Sequence, residues 1–316
     1  MGYIRRLMPI LAAFGPHIQA EPRLDFCEFF AGERAISRGL ELLGYRGKSF
    51  DYRFNEAHNL LTPVGFLLAI CAIMRLRPGG VIWLAPPCGS WVWLSRHTSG
   101  RNKSVLGNMA SDNVRAQNAM VSRIVYLLAL AMARNIYWII EQPESSVMPE
   151  HPRLQRMLEK WKEKITRIYV DMGAYNLKLK KTTMLFGYAP YLVKLQRSMT
   201  VSERRFMKDG HQASVVERRK QPDGSWKVDG KPELKPYQAY PMGFGAAHAL
   251  AFSSMTTPTQ KEEDLTLVSE HEDDSDVESD DSALEDLRRN DPEYWKPKLS
   301  TEKCVPLGGD KRRRVS

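Results

Sequence analysis

Cysteine is scarce in this sequence. Its 316 residues contain four cysteines, at Cys27, Cys71, Cys88 and Cys304. They show no CxxC pair and no zinc-finger spacing, which argues against a disulfide framework and against a structural metal site. We interpret all four as reduced thiols and expect no bound metal.

Long apolar runs are also missing. None reaches the roughly 18 residues that a membrane-spanning helix needs, so we expect no membrane partner. The hydrophobic fraction is nevertheless 43%, which is enough to build the core of one large domain.

Acidic residues are few outside the C-terminal tail. Residues 258–316 hold 17 acidic and 10 basic side chains, which leaves 20 acidic and 36 basic ones in the remainder, a net charge of +16. A body this basic is suited to a polyanion, of which nucleic acid is the common one. The acidic tail is expected to be disordered, and its final basic cluster, Lys311 to Arg314, is of nuclear-localisation type.

Strand and helix patterns alternate along the body. Strands are expected at 24–30, 47–51, 81–84, 136–140, 165–170 and 182–186, and helices at 33–43, 59–76, 113–134 and 151–164. This alternation predicts an α/β fold, a Rossmann-like and mostly parallel sheet with helices on both faces. A turn at Pro78-Gly79-Gly80 should bound the third strand.

The expected organisation has five parts. They are a leader (1–22), a core (23–187), a small basic inserted region (188–239), a return segment that packs on the core (240–257) and the tail (258–316).

Each informative motif falls at the end of a predicted strand, the edge where open α/β sheets bind ligands. Gly32 lets the backbone approach a ligand closely, and Asp51 places an acid after the second strand. Pro87 and Cys88 form a stiff loop that presents a candidate nucleophile, and Glu141 ends the fourth strand. The alternative interpretation is that Cys88 is a buried structural cysteine and that the other residues only cap helices or form turns.

Three of these motifs, in this order, resemble the signature of DNA (cytosine-5)-methyltransferases. They are Phe30-Ala31-Gly32, Pro87-Cys88 and Glu141-Gln142-Pro143. The resemblance spans about residues 24–187 and extends to Tyr240–Ser253. It implies a class I, Rossmann-like domain that binds S-adenosyl-L-methionine and transfers its methyl group to cytosine C5 in DNA.

The resemblance also implies roles for individual residues. The cofactor-binding set is Phe30, Ala31, Gly32, Asp51, Asn59 and Pro86, with Asp51 on the ribose and Asn59 near the adenine. The catalytic set is Cys88 as nucleophile, Glu141 on the target base, and Pro87 and Arg96 in support. This chain departs from the pattern where Arg34 and Ala35 replace two glycines and Gly89 replaces a glutamine.

Basic residues beyond these motifs are expected to contact phosphates, which fix position without reading sequence. The candidates are Lys178, Lys180, Lys181, Arg204, Arg205, Arg218 and Arg219. The polar segment 92–112 is predicted to be a flexible loop that closes over the site.

Two other functions remain open at this stage. The protein could methylate RNA or another acceptor, or it could bind nucleic acid without catalysis. Ala85-Pro86-Pro87-Cys88 differs from the Asn/Asp-Pro-Pro-Tyr/Phe pattern, which argues against methylation of an exocyclic amino group. Cofactor binding would separate the enzymes from the binding protein.

Overall fold

The computed structural model describes residues 23–175, 179–211, 216–220, 222, 226–230 and 239–256. Its main element is a six-stranded sheet of order β2-β1-β3-β4-β6-β5. The strands are β1 (Leu24–Phe29), β2 (Gly47–Phe50), β3 (Leu76–Leu84), β4 (Tyr137–Pro143), β5 (Thr166–Asp171) and β6 (Thr182–Tyr188). The first four are parallel, whereas β6 runs antiparallel to both β4 and β5. The predicted leader and tail lie outside the described residues.

Helices cover both faces of this sheet. They are α1 (Ala35–Leu42), α2 (Pro63–Arg75), α3 (Arg96–Ser99), α4 (Asp112–Ala133), α5 (Pro152–Lys160), α6 (Val201–Phe206) and α7 (Met242–Ser253). One core lies between the sheet and α2, α4 and α5; the other lies between the opposite face and α1 and α7. A separate antiparallel pair is formed by β7 (Val216–Lys220) and β8 (Trp226–Gly230). The predicted mostly parallel α/β sheet is therefore confirmed.

The strand order creates a topological switch point. The chain runs from β1 to β2 on one side and then crosses to β3 on the other side of β1. At such a point the loops after neighbouring strands diverge and leave a crevice outside the carboxyl ends of the strands. The motif-bearing loops after β1, β2 and β3 all open onto this crevice.

Several sequence-based boundaries are wrong, and the helix expected at 59–76 spans only Pro63–Arg75. The third strand begins at Leu76, and the predicted Pro-Gly-Gly turn is an irregularity inside it, where the pairing with β1 shifts register. Gly80 is required there, because a Cβ would come within 2.7 Å of the carbonyl oxygen of Asp25. The fourth strand continues through Glu141 to Pro143, because β6 pairs beside it along that length.

Helices α1 and α7 touch backbone to backbone. A Cβ on Gly39 would lie 2.3 Å from the carbonyl oxygen of Gly245, and one on Gly245 would lie 2.0 Å from that of Ala35. Only glycine fits at this crossing, so α7 packs directly onto the first helix of the fold.

Among the described residues, one helix is long and apolar enough to cross a membrane by length and composition alone. This helix is α4, and its Ile124, Leu127 and Leu128 are completely buried in the core of the body. Its apolar character is accounted for by that packing.

Candidate active site

The loop that carries Cys88 is hydrogen-bonded to the fourth strand. Gln142 is fully buried in β4, and its Nε2 donates a hydrogen bond of 2.8 Å to the carbonyl oxygen of Pro86. Ser146 donates in turn to Oε1 of Gln142, at 2.8 Å. Cys88 then opens a tight turn in which the Trp91 N–H donates to the Cys88 carbonyl oxygen. The thiol is therefore presented on a backbone with little freedom.

A buried arginine supports the same loop from the other side. The guanidinium carbon of Arg101 lies 3.2 Å from the centre of the Trp91 ring, and its Nε donates to Ser90 Oγ at 3.0 Å. Ser90 Oγ donates to Gln117 Oε1 at 2.7 Å. Burial lowers the pKa of Arg101 to about 10. The predicted flexible loop is thus built around a buried cation, together with the short helix α3.

Glu141 lies beside Cys88 at the adjacent strand end and is almost fully buried. Burial raises the pKa of its carboxyl group, while the Lys181 ammonium and a hydrogen bond from Tyr240 act in the opposite direction. Tyr240 also accepts a hydrogen bond of 3.3 Å from Trp83 Nε1. The ammonium nitrogen of Lys181 lies 5.5 Å from the centre of the Tyr240 ring. These contacts fix Glu141 within a network that joins two strands to the segments before β6 and α7.

Cys88 is partly buried, and its thiol is protonated at neutral pH. Burial is the largest cause that raises the pKa to about 11; the Glu141 carboxylate acts in the same direction, and the Lys181 ammonium acts against it. The same lysine therefore acts on both Cys88 and Glu141. Lys181 has a backbone φ of 36°, a conformation that costs a non-glycine residue free energy and is often found at functional sites.

The loop after β1 has an unusual backbone. Phe30, Gly32 and Arg34 have φ values of 59°, 53° and 58°. The Gly32 N–H donates to Asp51 Oδ2 at 2.9 Å, and the Arg53 N–H donates to Asp51 Oδ1 at 2.9 Å. Asp51 thus joins the loops after β1 and β2 through its carboxylate.

Sequence reasoning missed Glu28, which is almost completely buried near the end of β1. Its Oε2 accepts from the backbone N–H and the hydroxyl of Ser37 in the first turn of α1. Its Oε1 is buried without a hydrogen-bond partner among the described residues, and burial raises its pKa to about 7. The available signal was an acid inside an otherwise apolar strand.

The residues around this crevice fit S-adenosyl-L-methionine in part. The unpartnered Glu28 oxygen can accept a hydrogen bond from a polar cofactor, and Asp51 offers carboxylate lone pairs. Arg53 would compete with a cofactor for the Asp51 carboxylate, because its Nε lies 3.3 Å from Asp51 Oδ1. Asn59 lies in the turn before α2, where its Oδ1 already accepts from the Leu61 N–H.

The predicted phosphate-binding residues that the structure describes lie on several different segments. Lys181 belongs to the Cys88 and Glu141 cluster, whereas Lys180 pairs with Asp171 at 3.9 Å. Arg204 and Arg205 are exposed on α6, and Arg219 pairs with Glu217 on β7. Lys178 and the side chain of Arg218 lie outside the described residues.

Two more predicted residues have defined neighbours. Arg96 donates through its guanidinium to the carbonyl oxygen of Ser145, just beyond β4, and Pro87 is exposed next to the thiol. Among the described residues, no three His, Cys, Asp or Glu side chains are grouped as a metal site would require.

Comparison with known proteins assigns no family to this chain. No protein-family model matches this chain, and no curated protein matches it. Among solved structures, the chain is similar to the crystal structure of the S. pombe Dnmt2 methyltransferase. The TM-score is 0.32 at 13% sequence identity, and the match covers 62% of this chain and 58% of that one. The fold description therefore rests on the strand order itself.

Proposed function

We propose that this protein transfers a methyl group from S-adenosyl-L-methionine to cytosine C5 in DNA, through a covalent adduct with Cys88. The observation that carries the proposal is the pairing of Cys88 and Glu141 on neighbouring strand ends of a doubly wound sheet. A third group, Lys181, acts electrostatically on both. The cluster thus holds a nucleophile, an acid and a cation, groups that could serve the addition of a thiolate to a pyrimidine.

The reaction begins with proton removal from Cys88. A thiol with a pKa near 11 attacks only after it loses its proton, and Glu141 is a stronger base than an exposed carboxylate because burial raises its pKa. The thiolate adds to cytosine C6, and the protonated Glu141 donates a hydrogen bond to N3 as negative charge develops there. Once C5 carries the methyl group that the cofactor would supply, loss of the C5 proton to water and elimination of the thiolate from C6 restore the aromatic ring.

S-adenosyl-L-methionine, when bound, would supply the electrophilic methyl group. Asp51 and Glu28 would accept hydrogen bonds from the cofactor, and the left-handed turns at Phe30 and Gly32 would let it lie close to the backbone. Arg53 would have to release Asp51 for the carboxylate to accept from the ribose.

The basic character of the body supports a nucleic-acid substrate. DNA is proposed on the resemblance of the motifs, and a nuclear location on the cluster Lys311 to Arg314. RNA as the acceptor is the second candidate, which the same Cys88 chemistry would serve.

The test is methyl transfer from labelled S-adenosyl-L-methionine to cytosine-containing DNA and RNA, with trapping by 5-fluorocytosine substrates. Cys88→Ser should abolish both transfer and the trapped adduct. Cys71→Ser is the matched control, because Cys71 is partly exposed on α2 and belongs to no strand-end motif.

Transfer that survives in Cys88→Ser would refute the covalent mechanism. Absence of both transfer and cofactor binding by calorimetry would refute the enzymatic function and favour a protein that only binds nucleic acid. Transfer to RNA alone would leave the chemistry intact and change the acceptor.

A further inference from the structure

The segment that follows Cys88 exposes a group of apolar side chains. Trp93 is 64% exposed and Leu94 is 48% exposed, and Leu106 and Met109 are exposed on the same segment. We refer to residues 85–111 as the rim segment. A tryptophan exposed to this degree buries little apolar surface in the fold, so its ring remains available to a partner.

The rim segment contains no acidic residue. It carries Arg96, Arg101 and Lys103, together with His97. Arg101 is buried below the loop, while His97 and Lys103 are exposed and Arg96 is partly buried. An exposed indole among cations with no carboxylate in the segment is complementary to an anionic polymer with flat bases.

Two contacts join Trp93 and Arg96 to the segment that follows β4. The backbone N–H of Trp93 donates to Ser145 Oγ at 3.4 Å, and the Arg96 guanidinium donates to the Ser145 carbonyl oxygen. Ser145 follows the end of β4, four residues after Glu141. The rim segment therefore bridges the ends of β3 and β4, which carry Cys88 and Glu141.

We propose that the Trp93 ring stacks on an unpaired base next to the target base, so that the protein selects single-stranded or locally unpaired nucleic acid. This inference rests on the proposed function for its target base, but the binding itself requires no chemistry. Arg96 contacts a phosphate of the same strand. A base within a duplex offers no free face to the indole, whereas every unpaired base does.

Dye-labelled oligonucleotides of about 12 nucleotides test the proposal, a length within the roughly 4–16 nucleotides that a single OB fold covers on a single strand. Unstructured single-stranded DNA, single-stranded RNA and the matching duplex are compared by fluorescence anisotropy at several salt concentrations, without cofactor. The variants are Trp93→Ala, Trp93→Phe and Arg96→Gln. Tyr126→Ala, which removes an exposed aromatic ring from α4, is the control.

Trp93→Ala should weaken single-strand binding about 5- to 150-fold, the loss expected for one base–aromatic stack, without changing the salt dependence. Trp93→Phe should retain most of the affinity. Arg96→Gln should instead reduce the slope of log K against log salt by about 0.7, the value for one phosphate contact on a single strand. Tyr126→Ala should bind as the wild type does.

Equal affinity of Trp93→Ala and wild type, or tighter binding of the duplex than of both single strands, would overturn the inference. These outcomes are independent of the proposed function. A protein that methylates only duplex cytosine and ignores Trp93 would refute the inference alone. A protein that binds single strands through Trp93 and transfers no methyl group would refute the proposed function alone.

Discussion

The two halves of the switch-point crevice are supported in different ways. On the thiol side, Gln142 and Arg101 are buried and hold the loop around Cys88 through hydrogen bonds and a cation–π contact. On the side of β1 and β2, the exposed Arg53 covers the carboxylate of Asp51. The first arrangement is rigid because its polar groups have no water to exchange with. The second depends on an ion pair that solvent screens.

This contrast distinguishes the positioning of the nucleophile from the entry of the cofactor. A nucleophile gains from a fixed backbone, because small displacements of reacting atoms cost rate. A cofactor has to enter and leave, so a side chain that can swing away is suited to the acid that binds it. The predictions that follow test each half by removing its support.

The largest effect is expected for Gln142→Leu. The substitution leaves the Pro86 carbonyl oxygen and the Ser146 hydroxyl without their buried partner, at a cost of about 1–3 kcal/mol for each group. The free energy of unfolding, measured by urea titration, should fall accordingly, and trapping by 5-fluorocytosine should be lost. Gln155→Leu, at an exposed position on α5, should change neither. A variant as stable as the wild type would show that the loop does not depend on this contact.

The second effect concerns the reactivity of Cys88. Because the pKa of the thiol is raised from 9.0 to about 11, the thiolate fraction at neutral pH is roughly 100-fold lower than for an unperturbed thiol. Alkylation by iodoacetamide, followed for each cysteine by mass spectrometry, should rise with pH up to about 11. Glu141→Gln removes a negative neighbour and should speed the reaction, whereas Lys181→Met should slow it. A rate that levels off between about pH 7 and 8 would contradict the raised pKa.

The smallest effect is expected for Arg53→Gln. This side chain is 51% exposed, so its pair with Asp51 contributes at most about 1 kcal/mol. Its removal should leave stability almost unchanged and raise the affinity for S-adenosyl-L-methionine by up to about five-fold, measured by calorimetry. Arg46→Gln, at an exposed site before β2, is the control. Weaker cofactor binding would mean that Arg53 is part of the cofactor site instead of a competitor.

Much of the sheet was predictable, because each buried strand is a short apolar run between turn residues. The positions of Cys88, Asp51 and Glu141 at one edge followed from that pattern and from the rule for parallel strands. The end of β4 was not predictable, since it depends on β6, a partner some 40 residues further along the chain.

The supporting residues were harder to find for a physical reason. The sequence around Arg101 predicts a solvated loop cation. Its burial depends on the contacts with Trp91 and Ser90 in the folded protein. Tyr240 is far from Glu141 in sequence, and nothing local marks its hydroxyl as a donor to that carboxylate. Polar contacts between distant segments leave no periodic trace, whereas apolar faces do.

The glycine crossing between α1 and α7 has a consequence for biosynthesis. The first helix of the fold completes its packing with a helix about 200 residues later, and Tyr45 reaches the Thr256 carbonyl oxygen beside it. A growing chain on the ribosome therefore lacks α7, one of the elements that pack against Ile36 and Leu40 of α1, until residue 253 has emerged. Contacts of such long sequence separation form late because loop closure comes first.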